Sequence, residues 1–369
     1  MHTTIIEINS QQFITNLCSI RSNIPNTVKL CLPVKANAYG HGITGIAKLA
    51  EPYVDYLAVA CLDEGALLRN SGITKPILVF GAFNQDQVAG LIANNLEITV
   101  SSQFKAEQLV NYCKQTGQTC KIHLKVDTGM QRVGVRVSSL PALLEYALAN
   151  SELQIIGVYS HLANSELKDD AITFAQIEQF ATIAAIVKQK NPNIICHLAN
   201  SGGLCYYPQS YFDMVRPGLL SYGYFPGQAR IASTLEQIKP CFSLKSRVIY
   251  TKMVDAGQGI SYNHSYKTKE YTRVVTIPLG YGDGYRRMLS NVGEVLLRGK
   301  KYTISGNICM DMFLVDIGPR DKGYVEDEVV LIGQQGNEEI TLESVACKCH
   351  TITYEILCGF TERIPRVYV

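Results

Sequence analysis

The sequence predicts an α/β protein, an N-terminal (β/α)8 TIM barrel followed by a mostly β C-terminal domain. Eight short apolar runs alternate with helix-compatible stretches over roughly the first 235 residues. From about residue 240 the texture changes to strand-like runs bounded by glycine and charged turns. No Gly-x-Gly-x-x-Gly fingerprint opens a helix after the first run, which lowers the alternative of an open doubly wound sheet. The expected division is residues 1–236 and 237–369, with the boundary near "STLEQIKPC".

The eight runs are "VKLCLPV", "YLAVA", "PILVF", "EITV", "KIHLKV", "IIGVY", "IICHLA" and "FDMV". Between them, "GITGIAKLAEPYV", "LDEGALLRNSGI", "FKAEQLVNYCKQTG" and "FAQIEQFATIAAIVKQKN" carry apolar residues at helical spacing. Strands alternating with helices favour a parallel sheet, and eight of them over this length favour closure into a barrel. In the second part, "FSLKSRVIYTKMV", "TRVVTIPLGY", "GEVLLRG", "KYTISGNI", "MFLVDIG" and "DEVVLIG" read as strands, and "LESVACKC" as a short helix.

Composition narrows the function. The chain has 369 residues, 47% hydrophobic and 18% charged, with a net charge of +2, values of a globular protein with a sizeable core. Charge is spread along the chain, so no nucleic-acid or anionic-membrane partner is expected. No apolar run is long enough to span a bilayer, and the start "MHTTIIEINSQQF" lacks the pattern of a signal peptide. A cytoplasmic location follows by default. The 12 cysteines sit mostly inside apolar runs and form no disulfide framework. Cys347, Cys349 and His350 stand too close together for zinc spacing, so no metal is expected.

In a barrel of this class, chemistry collects where strands end and loops begin. After "LCLPV" come Lys35, Asn37 and Tyr39. "KIHLKV" contains Lys125 and leads to Asp127 and Arg132, while "IIGVYS" leads to His161. "IICHLA" leads to Asn200, Ser201 and Gly202, and "FDMV" to Arg216 and Gly218. One strand-end lysine alone would be a solvated charge. Two lysines, a histidine and two arginines converging on one barrel face point to a site.

The segments "VKANAYGHG", "HLKVDTGMQRVGV", "HLANS", "NSGG", "RPGLLSYG", "GISYN", "IPLGYGDGY", "ICMDM" and "TITYEILCGFTERIPRVY" closely resemble those of the bacterial alanine racemases. The resemblance runs from near residue 30 to the C-terminus. It implies pyridoxal 5'-phosphate (PLP) as cofactor, interconversion of L- and D-alanine for peptidoglycan, and a head-to-tail homodimer with composite active sites.

Carried over by similarity, Lys35 is the cofactor lysine and one catalytic base, and Tyr262 is the second base, supplied by the partner chain. Both roles of Lys35 need the uncharged amine, which burial near other cations favours. Arg216 is expected to face the cofactor's pyridine nitrogen, where a guanidinium donates but does not give up its proton, with His161 orienting it. Arg132 is expected at the cofactor's phenolic oxygen and the substrate, fixed by a carbamylated Lys125. Tyr39, Asn200, Ser201, Gly218, Leu219 and Tyr354 complete the cofactor site. Met310, Asp311 and Tyr281 are implied in substrate binding and the entrance. Asn307 and Glu166 depart from the arginine and aspartate common at the entrance, so that gate is not carried over. A racemase of broader specificity (serine or lysine), a related decarboxylase and a non-catalytic PLP carrier are the competing readings. An acidic partner at the pyridine nitrogen would favour the decarboxylase, and a chain without a second domain the carrier.

Overall fold

The computed structural model describes residues 3–227 and 235–369. Ser233 and Thr234, which open the predicted boundary segment, lie outside the described residues.

All eight apolar runs of the N-terminal part form strands: β1 (Lys29–Pro33), β2 (Tyr56–Val59), β3 (Ile77–Val79), β4 (Glu97–Val100), β5 (Cys120–Asp127), β6 (Leu153–Tyr159), β7 (Ile195–His197) and β8 (Met214–Val215). They pair in parallel in the spatial order β8-β1-β2-β3-β4-β5-β6-β7. The Asp213 amide donates to Cys196 O and the Arg216 amide to Ala199 O, each at 2.9 Å, bringing β8 back beside β7. The result is a nearly closed eight-stranded parallel barrel. β2, β3 and β4 are buried along their whole length, as a barrel wall between a filled interior and an outer ring of helices demands. Helices Ile43–Ala50, Leu62–Asn70, Gln103–Thr116 and Ala171–Lys190 form where helical spacing predicts them. Ser102 caps the third and Asp170 the fourth, each side chain accepting a backbone N–H of the first turn.

The second unit is mostly strand. Its larger sheet contains Lys300–Thr303, Glu294–Leu297, Glu328–Gln335, Phe242–Arg247, Ile5–Ile8 and Arg366–Tyr368 as successive neighbours. A three-stranded antiparallel sheet joins Tyr250–Val254, Thr272–Ile277 and Phe313–Gly318. "LESVACKC" forms the predicted helix, Leu342–Lys348.

The division differs from the expected one at the N-terminus. Ile5–Ile8 pairs antiparallel with Phe242–Arg247 and parallel with Arg366–Tyr368, so residues 3–10 belong to the second unit, as do Tyr39–Gly42. The barrel unit continues to Pro240, and Cys241 resumes the second. The physical reason is pairing: the short strand satisfies its backbone on both edges only within that sheet. Among the described residues, no helix is long and apolar enough to cross a membrane.

Candidate active site

β1 ends at Pro33, whose carbonyl accepts the Tyr222 hydroxyl at 2.9 Å. Lys35, half-buried, follows one residue after the strand. Ala36, Asn37, Ala38 and Tyr39 then all adopt φ of 52–55°, a left-handed turn that L-residues seldom take. Such backbone costs about 1–2 kcal/mol per residue, so the surroundings must hold it. The Glu64 carboxylate accepts the Ala36 amide at 2.6 Å and the Ala60 amide at 2.7 Å, and Asn37 Oδ1 accepts the Ile43 amide at 2.8 Å. The turn holds the Lys35 backbone rigidly at the end of β1.

The barrel interior contains a buried polar chain that the sequence reading did not identify. Arg216, 3% exposed, donates through Nη1 to His197 Nδ1 at 2.8 Å, and through Nη2 to Ser160 O at 2.8 Å and Leu198 O at 3.1 Å. His197 Nε2 lies 3.0 Å from His123 Nδ1, and His123 Nε2 lies 2.7 Å from a Glu97 carboxylate oxygen. Glu97, His123 and His197 are all buried. The expectation that His161 orients Arg216 is therefore corrected: His197 on β7 holds the guanidinium. His197 can reach it because its ring stacks on Tyr159, with centroids 4.8 Å apart and planes 4° apart. Tyr159 is anchored by Thr99, hydroxyl to hydroxyl at 2.7 Å.

His161 lies in the field of Arg216, Lys125, Arg132 and Lys35. Burial first, and then those cations in that order, push its imidazole well below the usual 6.5. Lys125 stands 4.7 Å over the Tyr159 ring, with its Nζ a long 3.5 Å from the Val126 carbonyl. Burial, then Arg216 and Arg132, lower its amine from 10.5 to about 7, against the opposing pull of Asp127. Asp127 organises the loop after β5 by accepting the amides of Gly129 at 2.8 Å and Arg132 at 3.2 Å. Arg132 itself is exposed. Asn200 caps the short helix Ser201–Tyr206, its Oδ1 accepting the Gly203 amide at 2.9 Å and the Ser165 hydroxyl at 2.7 Å. Ser201 Oγ accepts the Leu220 amide at 3.2 Å, tying the "NSGG" loop to the "RPGL" loop that carries Gly218 and Leu219.

These strand ends gather four basic groups around an imidazole held well below its usual range. Their natural complement is an anionic ligand.

In the second unit, three loops interlock. Ser261 Oγ donates to Asn307 O at 2.6 Å, and Asn307 Nδ2 donates to Tyr262 O at 2.8 Å. The Tyr281 amide donates to Cys309 O at 3.1 Å and the Gly282 amide to Met310 O at 2.8 Å. Asp311 pairs with Arg363 at 2.8 Å. Tyr262, Tyr281 and Met310 are presented outward, Tyr262 with 69% of its surface exposed. Tyr39 is buried in the same unit, its ring 6.0 Å from that of Tyr354.

The alanine racemase N-terminal domain family matches residues 8–226 and the alanine racemase C-terminal domain family residues 241–368. The chain belongs to the alanine racemase family. It is 36% identical to "Alanine racemase 2" of Caldanaerobacter subterraneus, over 99% of this chain and 95% of that one. With the alanine racemase of Carboxydothermus hydrogenoformans it shares 38% identity, over 96% of this chain and 98% of that one. Among solved structures, the alanine racemase of Clostridium difficile superposes with a TM-score of 0.93 at 33% identity, covering 100% of this chain and 96% of that one. The alanine racemase of Bacillus anthracis with bound L-Ala-P gives 0.92 at 32%, covering 100% and 95%. Membership makes the chain an isomerase of the racemase class.

Lys125, Arg132, His161 and Arg216 share one electrostatic neighbourhood with Lys35, and Ser201, Gly218 and Leu219 one pair of linked loops. The sequence reading missed Glu97, His123, Tyr159, Ser160 and His197. One signal was available: His123 and Lys125 are two residues apart on one strand, hence on one face.

Proposed function

We propose that this protein racemises alanine with PLP, in a cytoplasmic homodimer that supplies D-alanine to peptidoglycan. The observation that carries the reading is the buried Arg216, held by His197 and two carbonyls at the mouth of a barrel whose other strand ends present Lys35, Lys125, Arg132 and His161. Alanine as substrate is supported by the names of the relatives, one of them solved with L-Ala-P.

Lys35 would hold the cofactor, with Tyr39, Tyr354, Asn200, Ser201, Gly218 and Leu219 serving its phosphate and Arg132 its phenolic oxygen. Bound there, PLP supplies an electron sink that acidifies the substrate Cα–H. Arg216 would donate to the cofactor's ring nitrogen while remaining charged, since burial lowers it only to about 10, and by leaving that nitrogen unprotonated it would favour racemisation over transamination. Lys35 Nζ moves the proton on one face of Cα, and the partner's Tyr262 on the other. The exposure of Tyr262, Tyr281 and Met310 supports a surface completed by a second chain. The Met310 amide holds the substrate carboxylate, while Asp311 and Tyr281 line the approach. Lys125, with an amine lowered to about 7, has a substantial neutral fraction at neutral pH, the form that adds CO2. Carbamylation releases a proton and turns the neutral Lys125 amine into an anion in the neighbourhood of Arg216 and Arg132.

The test is solvent deuterium exchange at Cα with the PLP-loaded protein, together with borohydride reduction. The expected result is exchange with both alanine enantiomers, little with serine or lysine, and cofactor fixed on Lys35 after reduction. Reduction onto another lysine, or serine exchanging as fast as alanine, would contradict the proposal.

A further inference from the structure

The chain Arg216–His197–His123–Glu97 admits one arrangement of protons. Arginine is only a donor, so the His197 Nδ1 at 2.8 Å must be its acceptor. His197 therefore carries its hydrogen on Nε2 and donates it across 3.0 Å to His123 Nδ1. His123 in turn carries its hydrogen on Nε2 and donates it across 2.7 Å to a Glu97 side-chain oxygen, the contact a carboxylate makes with an imidazole N–H. A doubly protonated His123 is excluded, because its Nδ1–H would meet the Nε2 of a His197 whose only remaining hydrogen would face the guanidinium. Two neutral imidazoles thus link a buried cation to a buried carboxylate, with every link on strands β4, β5 and β7 or just past β8. The rings of Tyr56 and Tyr159 pack edge-on to His123, and Lys125 Nζ stands 4.7 Å over the Tyr159 ring.

We infer that Glu97 is the counter-charge and positioning residue for Arg216, acting through His123 and His197. The carboxylate balances the guanidinium inside a barrel where Arg132 and the Lys125 amine act on the same site. It also locks both imidazoles in the Nε2–H form, so that Arg216 has one rotamer and one set of partners. Its contacts with His197, Ser160 and Leu198 occupy three of its donors, and the locked rotamer aims the rest. This inference rests on the reading of Arg216 as the group that faces the PLP ring. It makes Glu97 a tuner of the cofactor, remote from substrate.

The substitution Glu97→Gln separates charge from geometry, because the amide oxygen can still accept from His123 while the negative charge is gone. Nitrogen NMR of the protein labelled with 15N-histidine reads the tautomers directly. Wild type is expected to show His123 and His197 neutral and Nε2-protonated, with or without PLP. In Glu97→Gln the same tautomers persist. The visible absorption maximum of bound PLP then shifts, and kcat falls about five- to ten-fold with KM within about two-fold. Either imidazole found charged or Nδ1-protonated in wild type overturns the inference. So does Glu97→Gln with an unchanged absorption maximum and unchanged kcat. Should the variant fail to fold, the wild-type tautomers still decide. Failure of wild type to exchange the α-proton of alanine would sink the functional reading and leave the tautomer result standing.

Discussion

Gly157 on β6 is the position where the buried chain is most easily broken. A Cβ added there would lie 2.3 Å from His123 Nδ1, 2.6 Å from its Cε1 and 2.9 Å from the Ile195 carbonyl oxygen. Ordinary contact requires His123 to retreat by about an ångström, yet the ring is held on one side by Glu97 at 2.7 Å and on the other by His197 at 3.0 Å. Overpacking of this kind costs about 1–3 kcal/mol, and a stranded buried donor or acceptor about 1–3 kcal/mol more. The backbone entropy gained by replacing glycine returns only about 0.4–1 kcal/mol. Gly157→Ala is therefore expected to destabilise the protein by about 3 kcal/mol and to weaken PLP binding through loss of the Arg216 rotamer. Urea unfolding of the PLP-loaded protein measures this, with Gly90→Ala as control. There the new Cβ meets only the Leu62 side chain, 2.8 Å at its nearest methyl, in a helix that favours alanine. The control should lie within about 1 kcal/mol of wild type. Gly157→Ala as stable as the control would refute the claim that the His123 position is fixed.

Two further outcomes are expected. Lys125 binds a proton more weakly folded, at about 7, than unfolded, at 10.5, so the penalty is fully present below pH 7 and stability rises as pH climbs from 7 to 10.5. The rise is up to about 4–5 kcal/mol in CO2-free buffer, and bicarbonate should flatten it if the amine is carbamylated; a flat profile in both buffers would contradict the shifted amine. Asn307→Ala removes the 2.8 Å bond to the Tyr262 carbonyl and should lower kcat about five-fold, equivalent to about 1 kcal/mol, with KM little changed. Stopped assays in both directions check it, and an unaltered kcat would show that the Ser261 contact alone suffices.

Much of this was legible in the sequence because barrels place chemistry where apolar runs stop. Lys35, Arg132, His161 and Arg216 each follow such a run, and the eight runs themselves formed strands. Glu97, His123 and His197 were not legible: Glu97 opens its run and the two histidines sit within theirs, where each reads as an interruption of a buried strand. Only the three-dimensional closure of β4, β5 and β7 brings them into line. Assigning the orienting role to His161 failed for a related reason: His161 and His197 lie past and at their strand ends, and only packing against Tyr159 tells which ring faces the guanidinium. The pairing of Ile5–Ile8 with Phe242–Arg247 spans most of the chain, and no local pattern announces it. The left-handed turn was equally hidden, because Ala36 and Ala38 carry none of glycine's freedom, and Ala36 is held by Glu64, 28 residues along the chain.

Subunit complementation tests the two-chain site most directly. Lys35→Ala and Tyr262→Phe are each expected to be inactive as pure dimers. Unfolded together in equal amounts, refolded and loaded with PLP, they should recover about one quarter of wild-type racemisation, because each mixed dimer regains one intact site. No recovery, with mixed dimers demonstrated by mass, would mean that both residues act within one chain.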